Sequence, residues 1–395
     1  MKPLEGLRVI DLTQVMAGPF CTMNLADMGA DVIKIEPPGV GEPTRTLGAI
    51  QKKGHSATFM TMNRGKRGLA VDLKRPEGLE IMTRLAATAD VFVQNYRPGA
   101  AERLGLGYAA MAAINPRLIY CAISGFGGTG PYAARGGYDL IAQGMSGVIS
   151  VTGDEDGPPA KAGIPVSDLA AGLFGAYGIL CALEHRERTG EGQFVDTSLL
   201  EAAMALTVWE SAELWATGHS PKPMGSAHRL SAPYQALRCQ DGYFTVGANN
   251  DKLFTQFCQV IGRTDLPADA RFSRRAPRLE NRRALIAEIE QATLAQPRDV
   301  WLARLEEAGV PSGPINNYAE ALADPHTLAR DMVVDLLHPG AGPIKALGIP
   351  VKLSETPGAV DRAAPLLGQH TAEILESLCY SQSERQALQS TGVVE

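Results

Sequence analysis

Asp168 stands where a carboxylate can do chemistry. It lies in Gly163-Ile-Pro-Val-Ser-Asp-Leu-Ala, at the mouth of a helix of small residues predicted over Ala170 to Ala182. Two readings fit such an acid. As a cap, its side-chain oxygen accepts a hydrogen bond from a free backbone N–H of the first turn. As a nucleophile, it attacks an activated carbonyl or phosphoryl group and holds a covalent intermediate. As a nucleophile there it faces unpaired N–H donors and the positive helix end, which are expected to keep it ionised at neutral pH.

Other residue patterns limit the chemistry. Gly125-Phe-Gly127-Gly-Thr-Gly130 fits the G-x-G-x-x-G dinucleotide fingerprint and follows a predicted strand. The residues after it, Pro131-Tyr-Ala-Ala-Arg-Gly-Gly, open no apolar helix, so no helix N-terminus is there to hold a pyrophosphate. The segment is expected to be a flexible loop, and a nicotinamide-dependent oxidoreductase is disfavoured. The seven histidines are scattered with no ligand pair on one helix face, and no metal is expected. His228, in a Gly-rich stretch, is the one retained as a candidate site residue. Arg45, Arg64, Lys66, Arg67, Lys74, Arg97 and Arg103 recur in the N-terminal loops. Gathered at one set of strand ends, they suit a carrier with several phosphates, such as coenzyme A. Scattered, they are solvated surface charges, and spacing alone does not choose.

The elements that must position these residues alternate along the first half. Strands are predicted at Arg8 to Leu12, Asp31 to Glu36, Leu69 to Leu73, Val91 to Gln94 and Leu118 to Ser124. Helices are predicted over Ala17 to Met28 and from Pro76. This rhythm predicts an α/β fold, a large Rossmann-like domain with a mainly parallel sheet. Its ligands bind beyond the carboxyl ends of the strands. The loops to watch are Thr13 to Pro19, Lys74 to Glu77, Asn95 to Arg103 and Gly125 to Tyr138. After a strand at Phe194 to Thr197, one long helix is predicted over Ser198 to Thr217. Asp241-Gly242 then marks a hairpin between Pro233 to Arg238 and Tyr243 to Gly247. Helices follow at Lys252 to Ile261, Glu280 to Leu294 and Val300 to Ala308. Short strands around Pro343 to Leu353 precede a last helix at Thr371 to Leu378. The domain division expected is 1–217 for the large α/β domain and 218–330 for a linker and smaller α+β domain. The tail, 331–395, returns to the first.

Composition agrees with an ordinary globular protein of 395 residues, 45% apolar and 20% charged. A net charge of −6 offers no broad basic face for nucleic acid. Six widely spaced cysteines read as buried small apolar groups in a reducing compartment. No apolar run is recognised as long enough to span a bilayer, so no membrane partner is expected and the location is taken as cytoplasmic.

Several motifs in order carry a resemblance. They run from Leu4-Glu-Gly-Leu-Arg-Val-Ile-Asp-Leu-Thr through Ala17-Gly-Pro-Phe, Gly29-Ala-Asp-Val-Ile-Lys-Ile-Glu and Asn95-Tyr-Arg-Pro-Gly. Gly125-Phe-Gly, Gly137-Tyr-Asp-Leu, Ser167-Asp168-Leu-Ala-Ala-Gly and Arg188-Thr-Gly-Glu-Gly-Gln follow. The chain resembles the class III CoA-transferases, the family of formyl-CoA transferase and carnitine CoA-transferase. Pro233-Tyr-Gln-Ala, Val310-Pro-Ser-Gly-Pro-Ile-Asn-Asn, His338-Pro and Pro365-Leu-Leu-Gly-Gln-His-Thr are most similar to the succinyl-CoA:glutarate branch.

The resemblance implies that Asp168 is the catalytic aspartate. It implies CoA contacts at Met16, Ala17, Val71, Asp72, Leu73, Lys74, Asn95, Tyr96, Arg97, Arg103 and near Tyr138. Pro37 stands where formyl-CoA transferase has an arginine, so Arg45 is the expected substitute. Gly225 and His228 take the approximate place of that enzyme's glycine-rich substrate loop, which argues against oxalate as acceptor. The family also implies an interlocked, ring-like homodimer, with coenzyme A and acyl-CoA as substrates and no permanently bound cofactor. The same fold hosts 2-methylacyl-CoA racemases, which place a histidine where this chain has Tyr138. A phenol with an ordinary pKa of about 10 is a poor base at pH 7, which disfavours racemisation. A CoA-binding protein without catalysis, Asp168 serving only as a cap, is the remaining alternative.

Overall fold

The computed structural model describes residues 1–48 and 50–395. Its central sheet has six strands: β1 (Arg8–Asp11), β2 (Asp31–Glu36), β3 (Arg67–Ala70), β4 (Val91–Gln94), β5 (Ile119–Ser124) and β6 (Phe194–Ser198). All neighbours pair in parallel, in the order β3-β2-β1-β4-β5-β6. The order reverses between β1 and β4, which are adjacent. Doubly wound sheets open a ligand crevice at such a switch point, beyond the strands' carboxyl ends.

Strand alternation splits the core in two. On one face Ile10, Ile33, Leu69, Phe92 and Tyr120 pack with the helix α1 (Pro76–Thr88). The tail completes this face with Ile374, Leu375, Val393 and Val394. On the other face Val9, Val32, Val93 and Ile123 pack against α2 (Val166–Thr189) and the helix Ala17–Asp27. Small residues let α2 come close. A Cβ on Gly172 would stand 2.6 Å from the carbonyl oxygen of Ala17. That approach sets the start of α2 beside the loop that follows β1.

The chain forms two compact units. The first comprises Met1–Ile149, Lys161–Ser220 and Pro325–Glu395; the second comprises Ser150–Ala160 and Pro221–Asp324. Ser150–Ala160, assigned to the first domain from sequence, therefore belongs with the second. The second unit has its own core, in which Phe244, Phe254, Phe257, Phe272, Ile289 and Trp301 are buried together. Its hairpin pairs Tyr234–Cys239 with Gly242–Gly247, and Ser312–Pro314 adds a third strand.

Several expectations shift. The strand predicted at Leu69 to Leu73 lies at Arg67–Ala70, because Val71 leaves the sheet to bridge Val394 and Asp72 donates its N–H to Val393 O. The long helix over Ser198 to Thr217 is two, Leu199–Ala205 and Val208–Thr217. Leu206 and Thr207 close the first with tight bonds to Ala203 and Met204, without a Gly or Pro to announce it. The helix over Glu280 to Leu294 divides at Asn281. A terminal helix, Gln382–Ser390, went unrecognised although Ser381 and Glu384 form its capping box. Cys181 and Cys379 are exposed, contrary to the buried role expected of all six cysteines. Finally, α2 is by length and composition apolar enough to cross a membrane, where sequence reading recognised no such run. Its inner face is spent on the sheet and its outer face leaves Leu173, Phe174, Tyr177 and Leu180 exposed.

Candidate active site

Three loops meet at the switch point: Gln14 to Ala17 after β1, Asn95 to Arg103 after β4, and Gly125 to Tyr138 after β5. They line a cavity of about 460 Å³, and Asp168 stands in its wall. The β5 loop is pinched at its base. A Cβ on Gly125 would lie 2.7 Å from the Cα of Gly137, so the two glycines close it against each other. No helix follows until Asp139–Met145, so the helix that a dinucleotide fingerprint must open is missing there.

Asp168 is not a cap. The helix starts at Val166 with Pro165 in the cap position, and no side chain caps it. The Ser167 N–H goes to Asp139 Oδ1 at 2.9 Å. The carboxyl of Asp168 is half-buried in the first turn, with no hydrogen-bond partner from the protein among the described residues. Burial, and then the charge of Asp139, pushes its pKa up to about 7. The sequence-based expectation of an acid held ionised by the helix end is therefore overturned. The donor meant for it serves Asp139, which adds a second negative charge.

The first wall of the cavity is held by buried charge. Asp11 accepts from Thr13 N at 2.8 Å, from Thr22 Oγ1 at 2.7 Å and from Lys66 Nζ at 2.9 Å. Its burial would raise its pKa, but the charges of Lys34 and Lys66 outweigh that and hold it at about 2. Burial lowers the Lys66 ammonium to about 8, with Asp11 opposing. Asn95 donates to and accepts from the Gln14 backbone, both at 2.8 Å, tying the β4 loop to the β1 loop.

Met16, Ala17, Asn95, Tyr96, Arg97, Arg103, Tyr138 and Asp168, all picked from sequence, come together in this cavity. Burial raises the Tyr96 phenol to about 12. Arg97 and Arg103, joined by Arg135, have no ion-pair partner among the described residues, and Arg135 lies over the Tyr132 ring at 4.0 Å. Other candidates lie elsewhere. Arg45 is bidentate to Glu36 at 2.7 Å and lines a separate small cavity with His55 and His338. Val71, Asp72, Leu73 and Lys74 lie beyond β3, where Val71 is buried and Lys74 N bonds Asp72 Oδ1. They do not line the cavity. Gly225 and His228 belong to the second unit, where His228 stacks on Tyr234 with ring centroids 4.7 Å apart. Sequence reading passed over Asp139, Arg135 and Glu42. An acid opening a helix within Gly137-Tyr-Asp-Leu was the available signal for Asp139. Among the described residues no three His, Cys, Asp or Glu side chains gather as a metal site would need.

The profile of CoA-transferase family III matches residues 4–371. The chain belongs to CoA-transferase family III. Succinyl-CoA:glutarate CoA-transferase of Mus musculus is 40% identical over 396 residues, covering 100% of this chain and 91% of that protein. Acetyl-CoA:oxalate CoA-transferase of Acetobacter aceti is 43% identical over 365 residues, covering 90% and 92%. A crystal structure of a CaiB/BaiF family protein from Brucella suis, 41% identical, superposes with a TM-score of 0.86 over 95% of this chain and 99% of that one. This family III enzyme is a CoA-transferase, and its CoA-transferase relatives are named for CoA thioesters as substrates. Relatives named for glutarate and for oxalate are thus similarly close to this chain.

Proposed function

We propose that this enzyme moves CoA from an acyl-CoA, with succinyl-CoA as donor, to a dicarboxylate such as glutarate, through covalent intermediates on Asp168. The observation that carries the reading is an uncapped carboxyl in the wall of a cavity shared with Met16, Asn95, Arg97 and Arg103. The Asp168 carboxylate attacks the thioester carbonyl, the C–S bond breaks, and CoA thiolate leaves an acyl-aspartyl anhydride. The thiolate then attacks the aspartyl carbonyl, releasing the donor acid and forming an aspartyl-CoA thioester. The acceptor carboxylate attacks that thioester, and the two steps run in reverse to give the new acyl-CoA and free Asp168. Contacts remote from the sulfur keep the thiolate close between steps and give it a high effective concentration. Each tetrahedral oxyanion needs preorganised donors, and the anhydride needs water kept out.

Two further points support the substrate class. A dicarboxylate keeps one charged group after the other has reacted, and the cavity carries Arg97, Arg103 and Arg135, which have no carboxylate partner among the described residues. The relatives named above act on glutarate and oxalate, both dicarboxylates. The alternative, 2-methylacyl-CoA racemisation, needs a base beside Asp168; among the described residues the cavity wall has no histidine, and Tyr138 stands where the racemases place one. A homodimer belongs to the same reading. Tyr177 (65% exposed), Val208 (65%) and Trp215 (82%) leave apolar surface that a second copy would cover.

The test is hydroxylamine trapping during turnover with succinyl-CoA and a panel of dicarboxylates, read by mass spectrometry. A hydroxamate on the Asp168 peptide and a new acyl-CoA mass are expected. Turnover that proceeds with no modified Asp168 peptide would overturn the covalent route.

A further inference from the structure

Val15 is the one β-branched residue with φ in the left-handed region among the described residues, at +68°. A valine does not choose that conformation, because its branched Cβ crowds the backbone. Something must impose it. Residues 13, 14 and 15 each have a backbone group bound by a side chain from another part of the chain. Thr13 donates its N–H to Asp11, and its carbonyl accepts from Lys34 Nζ. Gln14 is clasped by Asn95. The Val15 N–H donates to Glu42 Oε2 at 3.2 Å.

Glu42 is itself fixed. It is 1% exposed, accepts from Thr44 N at 3.1 Å and from Thr44 Oγ1, and lies 4.0 Å from Lys34 Nζ. Its own N–H donates to Glu36 at 3.0 Å. Glu42 does not line the cavity; Val15 and the two residues after it do.

We propose that Glu42 is a positioning residue for acyl-CoA: by holding the Val15 N–H it sustains the left-handed turn that presents Met16 and Ala17 to the thioester. The inference rests on the reading of this cavity as the acyl-CoA site. Because Glu42 acts on the loop and not on the reacting atoms, its loss falls on thioester binding more than on turnover. Because Val15 is strained, a residue that accepts positive φ freely removes part of the need for Glu42.

The experiment compares Glu42→Leu, which keeps the bulk and removes the acceptor, with Val15→Gly and the double variant by KM for succinyl-CoA, kcat, CoA affinity by calorimetry, and Tm. Glu42→Leu is expected to raise KM and weaken CoA binding about tenfold or more, with kcat far less affected. Val15→Gly alone is expected to raise Tm by a few degrees, as relief of strain does. In the double variant KM returns part-way towards wild type. An unchanged KM in Glu42→Leu, or a Tm that falls in Val15→Gly, overturns the proposal; so does a double variant as impaired as Glu42→Leu. Should Glu42→Leu fail to fold, the Tm of Val15→Gly still decides whether the turn is held under strain. The underlying reading has its own control. Met16→Trp fills the cavity wall and should weaken CoA binding; unchanged affinity would remove the cavity from the acyl-CoA site, whatever Glu42 does.

Discussion

Asp11 and Asp168 are both taken out of bulk water within the same unit, and they titrate in opposite directions. Asp11 is wholly buried yet held at about 2, because Lys34 and Lys66 face it and the hydroxyls of Thr13 and Thr22 bind it. Asp168 is only half-buried yet pushed up to about 7, because burial raises it, no cation or hydroxyl offsets that rise, and the charge of Asp139 adds to it. Burial raises both carboxyls; their partners decide whether the rise survives. A satisfied carboxylate is a strut, with its lone pairs committed. An unsatisfied one keeps them for a substrate. Asp11 fixes the loop that forms one wall of the cavity, and Asp168 stands free in that cavity.

The comparison breaks most visibly at Asp168 itself. Asp168→Asn keeps the shape and removes the nucleophile, so steady-state transfer should fall by at least about 1,000-fold, equivalent to about 4 kcal/mol of barrier. CoA affinity measured by calorimetry should change little. Turnover within a few-fold of wild type would make Asp168 as much a strut as Asp11.

The reciprocal change is Lys66→Met. It leaves Asp11 buried with Lys34 as its remaining cation and leaves Asn63 Oδ1 without its donor. Breaking a buried pair from one side costs about 3–5 kcal/mol, so the midpoint of urea unfolding should drop sharply. Asp11 also gives the wild type an acid limit. Its folded pKa lies below the unfolded value, so its contribution is present above the ordinary carboxylate range and fades as pH falls through about 2. Unchanged urea stability in Lys66→Met would mean that the pairing does not hold the wall.

How much of this contrast the sequence carried is uneven. Strand alternation and the Pro and Gly punctuation marked β1, β2 and β4 nearly to the residue, because a buried parallel strand leaves a dense apolar run. Asp168, Met16, Asn95 and Arg97 were legible as members of one site through motif order. The state of Asp168 was not. That depends on Asp139, 29 positions away in sequence, taking the Ser167 N–H. Nor was the Asp11–Lys66 pair, joined only when β1 and the segment before β3 fold together. The break at Leu206 and Thr207 left no mark in residue type either. Pairings across the sheet are set by tertiary packing, which local patterns do not encode.

Asp139 is the residue through which the contrast can be tuned. Its charge raises the pKa of Asp168 after burial has done so. The attacking form is the carboxylate, so kcat/KM for acyl-CoA should climb with pH and level off above about 7. Asp139→Asn can still accept the Ser167 N–H through its carbonyl oxygen, but it carries no charge. The rising limb should move to lower pH. A limb that stays in place would assign the shift to burial alone.

The smallest effect is on stability, and its sign opposes the usual loss on mutation. The folded pKa of Asp168, about 7, lies above the ordinary value of 3.8. Between these values the folded state holds a proton that the unfolded state has released, so this group's contribution to stability falls as pH rises through the window. Above pH 7 the fold carries an ionised carboxyl that its surroundings disfavour. Asp168→Asn removes that burden, so the catalytically dead enzyme should be more stable than wild type at pH 8, and less so at pH 5. The full shift would correspond to about 4 kcal/mol. Partial exposure screens it, leaving a gain on the order of 1 kcal/mol. Parallel urea titrations of the two proteins at pH 5 and pH 8 measure it. A gain that does not grow with pH would show that Asp168 is not held at a cost, and the distinction between the two carboxyls would then rest on reactivity alone.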